Sequence, residues 1–449
     1  MDSETQVIKD WLKQHKVSEV ECLVPDITGN ARGKFVPGAQ FLSRGEPRLP
    51  ESILIQSVTG QYCDEHWDLV EPTDADMILR PDVNAMRLVP WAREPTAQII
   101  HDCYTQSGEL HPLSTRNVLR RVLDLYKEQG LRPVVAPEVE FFLVARNADP
   151  DNELCAPNGR SGRAESSRRS YSIDAVAEFE DFVEDIYEYA EAQNLQVGSL
   201  IHEDGAAQME MNFEHGDAMS LADQVFVFKR TVRETAHKYG MYATFMAKPM
   251  QKECGSALHI HQSVLRVDSG ENIFSDGKGG YTDTFMSYIA GLQHYTPQLI
   301  SLYAPNVNSY RRLAPEVAAP INLAWGFDNR TTGFRVPQST PEAVRVENRF
   351  PGADVNPYLA FAATLASGYL GMQRKLEPTE PHQGTANTAT VEVVRTLEEG
   401  LRHLRESPEV SDIFGDLFLR AYSAIKRQEF EEFNRVISSW EREHLLLQV

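Results

Sequence analysis

The run Pro137-Glu138-Val139-Glu140-Phe141-Phe142 decides how the middle of this chain is read. It is apolar apart from its two acids and is flanked by Val134-Val135 and Leu143-Val144, which predicts a buried β-strand. Residues two apart on a strand share a face, so both carboxylates project the same way from a hydrophobic wall. A buried carboxylate pair is costly unless a cation or hydrogen bonds compensate it.

Outward from this strand lie three more short motifs with the same kind of chemistry. In Glu203-Asp204-Gly205-Ala206-Ala207-Gln208-Met209-Glu210-Met211-Asn212-Phe213, Met209, Met211 and Phe213 share one strand face, and Glu210 and Asn212 the other. In Cys254-Gly255-Ser256-Ala257-Leu258-His259-Ile260-His261-Gln262-Ser263, His259 and His261 share a face. In Arg345-Val346-Glu347-Asn348-Arg349-Phe350, Arg345, Glu347 and Arg349 do. Singly, His-x-His is usually structural and Arg-x-Glu-x-Arg is usually a salt-bridge ladder. Together, Glu138, Glu140, Glu203, Glu210, His259 and Glu347 offer five carboxylates and one imidazole. That donor set suits two Mg²⁺ or Mn²⁺ ions better than zinc, which takes more Cys and His. Paired metals are typical where phosphoryl groups are transferred.

At 449 residues the chain exceeds one ordinary domain and is long enough to bury a large core. An apolar fraction of 42% and a charged fraction of 24% are those of a soluble globular protein. No run of about 18 apolar residues is present, so no membrane helix is expected. The start, Met1-Asp2-Ser3-Glu4-Thr5, lacks a signal-peptide pattern, and five cysteines at unrelated spacings argue against a disulfide framework. Both point to the cytoplasm. A formal charge of −21 speaks against nucleic-acid binding.

Residues 5–15 read as a helix, and residues 19–100 alternate short apolar runs with Gly and Pro turns, as in a small mostly β domain. A boundary falls at Thr105-Gln106-Ser107-Gly108, dividing the chain into 1–108 and 109–449. Ser114 or Thr115 then caps a helix carrying Val118, Leu119, Val122, Leu123 and Tyr126, which Gly130 stops. Val176, Phe179, Val183, Ile186 and Ala190 follow helical spacing, as do Leu221, Val225, Phe228, Val232 and Ala236. Acid-bearing strands between such helices describe an α+β fold with a curved antiparallel sheet. Residues 145–170 and 378–389 read as surface loops, and the leucines of the carboxyl end as an interface.

The motifs, in this order, resemble the glutamine synthetase superfamily over nearly the whole chain. The resemblance extends to Thr244-Phe245-Met246-Ala247-Lys248-Pro249-Met250, Asn308-Ser309-Tyr310-Arg311-Arg312-Leu313 and Asn329-Arg330-Thr331-Thr332-Gly333-Phe334-Arg335-Val336-Pro337. It continues through Arg349-Phe350-Pro351 and Asn356-Pro357-Tyr358-Leu359-Ala360. It implies a β-grasp-like amino-terminal domain, ATP as cosubstrate and γ-glutamyl phosphate as intermediate. It assigns one metal to Glu140, Glu203 and Glu210, and the other to Glu138, His259 and Glu347. Arg330 and Arg335 are implied to contact phosphate, and Arg312 and Arg349 to grip glutamate, with Arg330 and Arg349 acting in catalysis. Gly255 approaches the substrate, and His261, Ser263 and Arg345 lie around the nucleotide. The family uses no Gly-x-x-x-x-Gly-Lys-Ser/Thr loop, and none is present. A homododecamer of two stacked hexamers, with sites between neighbouring subunits, follows from the same resemblance.

The departures bear on the nucleophile. The family's flap glutamate is matched by Ala318, with Glu316 two residues away. The family's Asp-Gly-Ser-Ser segment reads Arg48-Leu49-Pro50-Glu51-Ser52-Ile53-Leu54, where Glu51 is the nearby acid. Losing two acids weakens an ammonium site and leaves room for an organic amine. The expectation is therefore a ligase joining glutamate to an amine, putrescine, cadaverine or spermidine leading, most like the γ-glutamylpolyamine synthetase branch. Glutamine synthesis from ammonia is the second reading, and a non-catalytic scaffold the third. Cys254 stands where the family has Asn, and Ala206-Ala207-Gln208 lacks the glycine of the family's turn.

Overall fold

The structure, a computed structural model, describes residues 3–44, 46–166, 168–314, 319–387 and 393–449. After an amphipathic helix, Ser3–Gln14, five strands form the first sheet: β1 Glu19–Pro25, β2 Ala31–Pro37, β3 Arg48–Pro50, β4 Asp76–Leu88 and β5 Thr96–Tyr104. Their order is β2-β1-β5-β4-β3, with β1 and β5 parallel and the other pairs antiparallel.

The second sheet has nine strands: β6 Leu131–Ala145, β7 Val197–His202, β8 Gln208–Phe213, β9 Gly216–Asp217, β10 Met241–Thr244, β11 Leu258–Arg266, β12 Trp325–Phe327, β13 Phe334–Val336 and β14 Val346–Asn348. The path runs β12-β13-β14-β11-β6-β8-β7, and β9 and β10 also pair with β6. It is antiparallel except for the edge pair β12 and β13. The chain therefore has the expected mixed α+β fold with one parallel pair in each sheet.

β6 shows why the acids end up where they do. Val139, Phe141 and Leu143 enter the main core, against helices Thr115–Glu128 and Ala218–Lys238. Fully burying such a side chain contributes about 1.5–3 kcal/mol. The alternation of a strand then sends Glu138 and Glu140 to the opposite face. On that face Phe142 and Val144 pack with Cys254 in a small apolar cluster.

A buried cation joins the two sheets. Arg116, 1% exposed, pairs Asp82 at 2.6 Å and Asp223 at 2.9 Å, and also Asp102. Asp82 lies in the irregular stretch of β4 between Pro81 and Met86, Asp102 on β5, and Asp223 on the helix behind the second sheet. A buried guanidinium is tolerable only when its charge and donors are this fully matched.

Two local expectations change. The single helix expected around Val176–Ala190 is two, Ile173–Ala177 and Glu180–Ala192. The Arg160 N–H donates to Glu178 O at 2.8 Å, and the Ser161 N–H to Glu178 Oε2 at 3.0 Å. These tertiary bonds claim the residue where the helix breaks. Ser114 does sit at the cap of Thr115–Glu128, but its side chain makes no capping hydrogen bond. Among the described residues no helix is long and apolar enough to cross a membrane.

Candidate active site

Strand register assembles the acids. Glu140 on β6 stands opposite Glu210 on β8, and Glu138 opposite Asn212. On the other side of β6, Glu138 stands opposite His259 on β11. His261 stands opposite Glu347 on β14, and Glu347 opposite Arg335 on β13. Residues more than two hundred positions apart in sequence thus form one row across the sheet.

This row floors a cavity of about 530 Å³. Glu138, Glu140, Glu203, Glu210, His259, Glu347, Gly255, Arg312, Arg330, Arg335 and Arg349 all line it. Ligand atoms of Glu138, His259 and Glu347 lie within 4.8 Å of one another. Those of Glu140 and Glu210 group with His259 rather than with Glu203. Glu203 faces the same cavity from the turn after β7, not from the sheet.

The electrostatics divide the acids into two kinds. Burial, and then the charge of Glu203, push the Glu140 carboxyl up, against the pull of Arg312 and the Ala257 N–H. Burial, and then Glu138, Glu140 and Glu203, push Glu210 up. Burial also opposes ionisation of Glu138, but hydrogen bonding with His259 and His261 outweighs it and holds that carboxyl low. Glu347 is likewise held low against burial, by Arg349 and the two histidines. Burial and then Arg349 push His259 down to about 4, which keeps the ring neutral, the form that ligates metals. Hard oxygen donors with one neutral imidazole fit Mg²⁺ or Mn²⁺. Carboxylates raised by burial and by mutual repulsion are what a divalent cation relieves.

Four arginines line the same cavity. Arg312 is buried and donates to Phe350 O at 2.8 Å and Arg349 O at 2.9 Å, which fixes the plane of its guanidinium. Burial pushes it down to about 10. Gly255 is required beneath it, since a Cβ there would meet Arg312 Cγ and Ala247 O at 2.7 Å. Arg335 and Arg349 both donate to Glu347, and Arg335 also to Asp328. Arg330 is exposed and, among the described residues, has no hydrogen-bond or ion-pair partner.

His261, Ser263 and Arg345 lie off the cavity lining. Arg345 Nε donates to His261 Nδ1 at 3.3 Å, and His261 Nε2 meets Glu138 Oε1 at 3.0 Å. Ser263 continues the same face of β11. Glu51 lies elsewhere, accepting from Glu71 N at 3.0 Å and pairing His111 at 3.0 Å. Ala318 and Glu316 fall outside the described residues.

Among the other lining residues, Gln208 and Cys254 stand in the sequence reading only as departures from the family's wording. Gln208 is held by every part of its amide: Nε2 donates to Glu140 Oε2 at 3.2 Å and Gly255 O at 3.0 Å, and Oε1 accepts from Gly205 N at 3.0 Å. The Cys254 thiol, pushed up by burial to about 12, also donates to Gln208 Oε1. Cys254, on the loop before β11, is thus a donor to the Gln208 amide. Tyr171 and Ile201 border the cavity with Asp204 and Ala319. Tyr171 has φ +59°, a conformation set by its surroundings and invisible in the sequence. Asn212 was legible, since it shares the face of Glu210.

The family description "Glutamine synthetase, catalytic domain" matches residues 112–445. A glutamate–isopropylamine ligase from a Pseudomonas species is 33% identical, covering 97% of this chain and 96% of that protein. The γ-glutamylputrescine synthetase PuuA of Escherichia coli K12 is 32% identical, covering 98% and 94%. A glutamine synthetase of Methanocaldococcus jannaschii is 33% identical, covering 98% of each chain. A solved structure described as "GmaS/ADP complex" superposes with a TM-score of 0.83 at 25% identity, over 99% of this chain and 100% of that one.

Proposed function

This chain belongs to the glutamine synthetase family of ATP-dependent carbon–nitrogen ligases, and from that premise we propose that it joins the glutamate γ-carboxylate to an organic amine. Putrescine, cadaverine or spermidine is the leading nucleophile. The observation that carries this reading is the mixed wall of the cavity, where Tyr171, Ile201 and Ala319 stand beside Glu203 and Asp204. An alkylammonium needs both a hydrocarbon surface and negative charge, and an aromatic face adds cation–π attraction. Ammonium needs only polar acceptors. Two similar relatives carry names of ligases for isopropylamine and putrescine, which supports the same reading.

In this proposal Arg312 and Arg349 hold the glutamate carboxylates, with the Gly255 main chain alongside. A guanidinium matches a carboxylate with two parallel hydrogen bonds. Glu140, Glu203 and Glu210 would hold one Mg²⁺ or Mn²⁺ ion, and Glu138, His259 and Glu347 the other. Those ions supply charge neutralisation between two anions that must approach, the γ-carboxylate and the γ-phosphoryl group. Arg330 and Arg335 bear on the phosphoryl oxygens, where charge develops during transfer. His261, Ser263 and Arg345 flank the nucleotide. The amine then displaces phosphate from γ-glutamyl phosphate. The same reading places the enzyme in cytoplasmic polyamine breakdown, as a dodecamer.

Glutamate-dependent ADP release with ATP and Mg²⁺ tests it, comparing ammonium with an amine panel that includes putrescine, cadaverine and spermidine. Amine-dependent turnover with little response to ammonium is expected. Strong turnover with ammonium alone would return the protein to glutamine synthesis, the activity named for the archaeal relative.

A further inference from the structure

Glu165 lies on the connection between β6 and the Ile173–Ala177 helix, yet its side chain is 8% exposed. Its Oε2 accepts the Ala207 N–H at 2.7 Å and meets His202 Nε2 at 2.9 Å. The other ring nitrogen of His202, Nδ1, lies 2.7 Å from the Glu203 carbonyl oxygen. A carbonyl oxygen and a carboxylate oxygen both only accept, so both ring nitrogens of His202 act as donors. One carboxylate therefore grips both ends of the turn that presents Glu203.

That turn needs holding. Ala207 has φ +56°, in the left-handed region where Cβ crowds the backbone and glycine is the usual occupant. Three successive N–H groups of the turn each meet a side-chain oxygen. Gly205 N donates to Gln208 Oε1 at 3.0 Å, Ala206 N to Glu253 Oε2 at 3.1 Å, and Ala207 N to Glu165. Glu165 thus takes the donor at the strained residue. Its connection also carries Tyr171 to the cavity, with Tyr171 N donating to His202 O at 2.9 Å.

We propose that Glu165 is a positioning residue that holds Ala207 in its left-handed conformation and His202 against Glu203, and so aims the Glu203 carboxylate as a metal ligand. The proposal rests on the reading of Glu203 as a ligand. Without Glu165, Ala207 is free to relax to negative φ, and the turn carries Glu203 away from the sheet.

The test measures half-saturating Mg²⁺, kcat and the KM for glutamate in the full-length protein. The variants are Glu165→Ala, Glu165→Gln, Ala207→Gly and the Glu165→Ala/Ala207→Gly double. Glu165→Ala should raise half-saturating Mg²⁺ by about tenfold, the usual size for loss of a residue that orients a ligand. The KM for glutamate should change by less than about twofold, because Arg312 and Arg349 are held separately. Glu165→Gln, which keeps an acceptor for the Ala207 N–H, should show a smaller rise. In the presence of Ala207→Gly the effect of Glu165→Ala should shrink to about threefold, since glycine adopts positive φ without restraint. A folded Glu165→Ala or Glu165→Gln protein with an unchanged Mg²⁺ requirement overturns the proposal. So does a shift of equal size with and without Ala207→Gly. If Glu165→Ala does not fold, Glu165→Gln with and without Ala207→Gly makes the same comparison. Glu203→Ala separates the two readings: if it leaves the Mg²⁺ requirement unchanged, Glu203 is not a ligand. If it shifts the requirement while the Glu165 variants do not, the positioning role alone fails.

Discussion

Glu140 and Glu210 stand directly opposite each other on neighbouring antiparallel strands, and His259 completes a group whose ligand atoms lie within 4.8 Å of one another. Like charges opposed across a sheet are destabilising, and burial makes this pair more so. The arrangement sacrifices fold stability for a place where a divalent cation is strongly favoured.

The pH dependence of the metal-free protein follows from that pair. Both carboxyls are raised from the ordinary value of 4.5, so folding favours their neutral forms. Their contribution is fully present below that value and is lost as pH rises through the raised range. Glu138 and Glu347 are lowered, and their contribution is lost only as pH falls through the range below the ordinary value. Thermal stability in EDTA should therefore decline between about pH 6 and pH 9, and Mg²⁺ should restore it. Calorimetry in two buffers should detect proton release on metal binding. A melting temperature indifferent to both pH and Mg²⁺ would contradict this account.

Glu210→Gln and Glu347→Ala should separate stability from activity. Each should lower turnover by at least about 100-fold if metals carry the reaction. Glu210→Gln removes the cost of either burying that charge or protonating the carboxyl on folding, so the metal-free protein should melt higher. Glu347→Ala strands Arg349, 10% exposed, leaves Arg335 with Asp328 alone, and should cost about 3–5 kcal/mol. Chemical denaturation without metal checks the signs, and equal destabilisation by both would refute the division of the acids into two kinds.

Arg330 makes no hydrogen bond or close ion pair among the described residues, so Arg330→Lys, which keeps the charge near Asp328, should leave the melting temperature unchanged. Its kcat should fall by about 10²–10³, the size seen when one donor to a charged transition state is lost. A fall in stability with kcat intact would make Arg330 structural.

Gly255→Ala places a methyl 2.7 Å from both Arg312 Cγ and Ala247 O. Arg312 must shift, and with it the guanidinium that lines the cavity. The KM for glutamate should rise by about tenfold or more, with the KM for ATP changing little. An unchanged glutamate KM would remove Arg312 from the glutamate site.

Ala318→Glu restores the acid that the family carries in its flap. Turnover with ammonium relative to putrescine should rise by about tenfold, as expected when a cation site regains a carboxylate. An unaltered ratio would mean that the flap does not choose the nucleophile.

What the sequence determined by itself is the set of local patterns and their order. The apolar run around Glu138 and Glu140 forms the strand β6. The spacing of Leu221 to Ala236 falls within the helix Ala218–Lys238. The ordered motifs identify the family, because periodicity and motif wording are properties of short segments. Tertiary structure decided which segments meet. The register that sets Glu138 against His259 and His261 against Glu347 depends on which strands become neighbours, and no local pattern encodes that. The same holds for the helix break at Glu178, the grouping of His259 with Glu140 and Glu210, and the positive φ of Tyr171 and Ala207. Each is imposed by partners distant in the chain, whose hydrogen bonds and charges outweigh the preference of the residue itself.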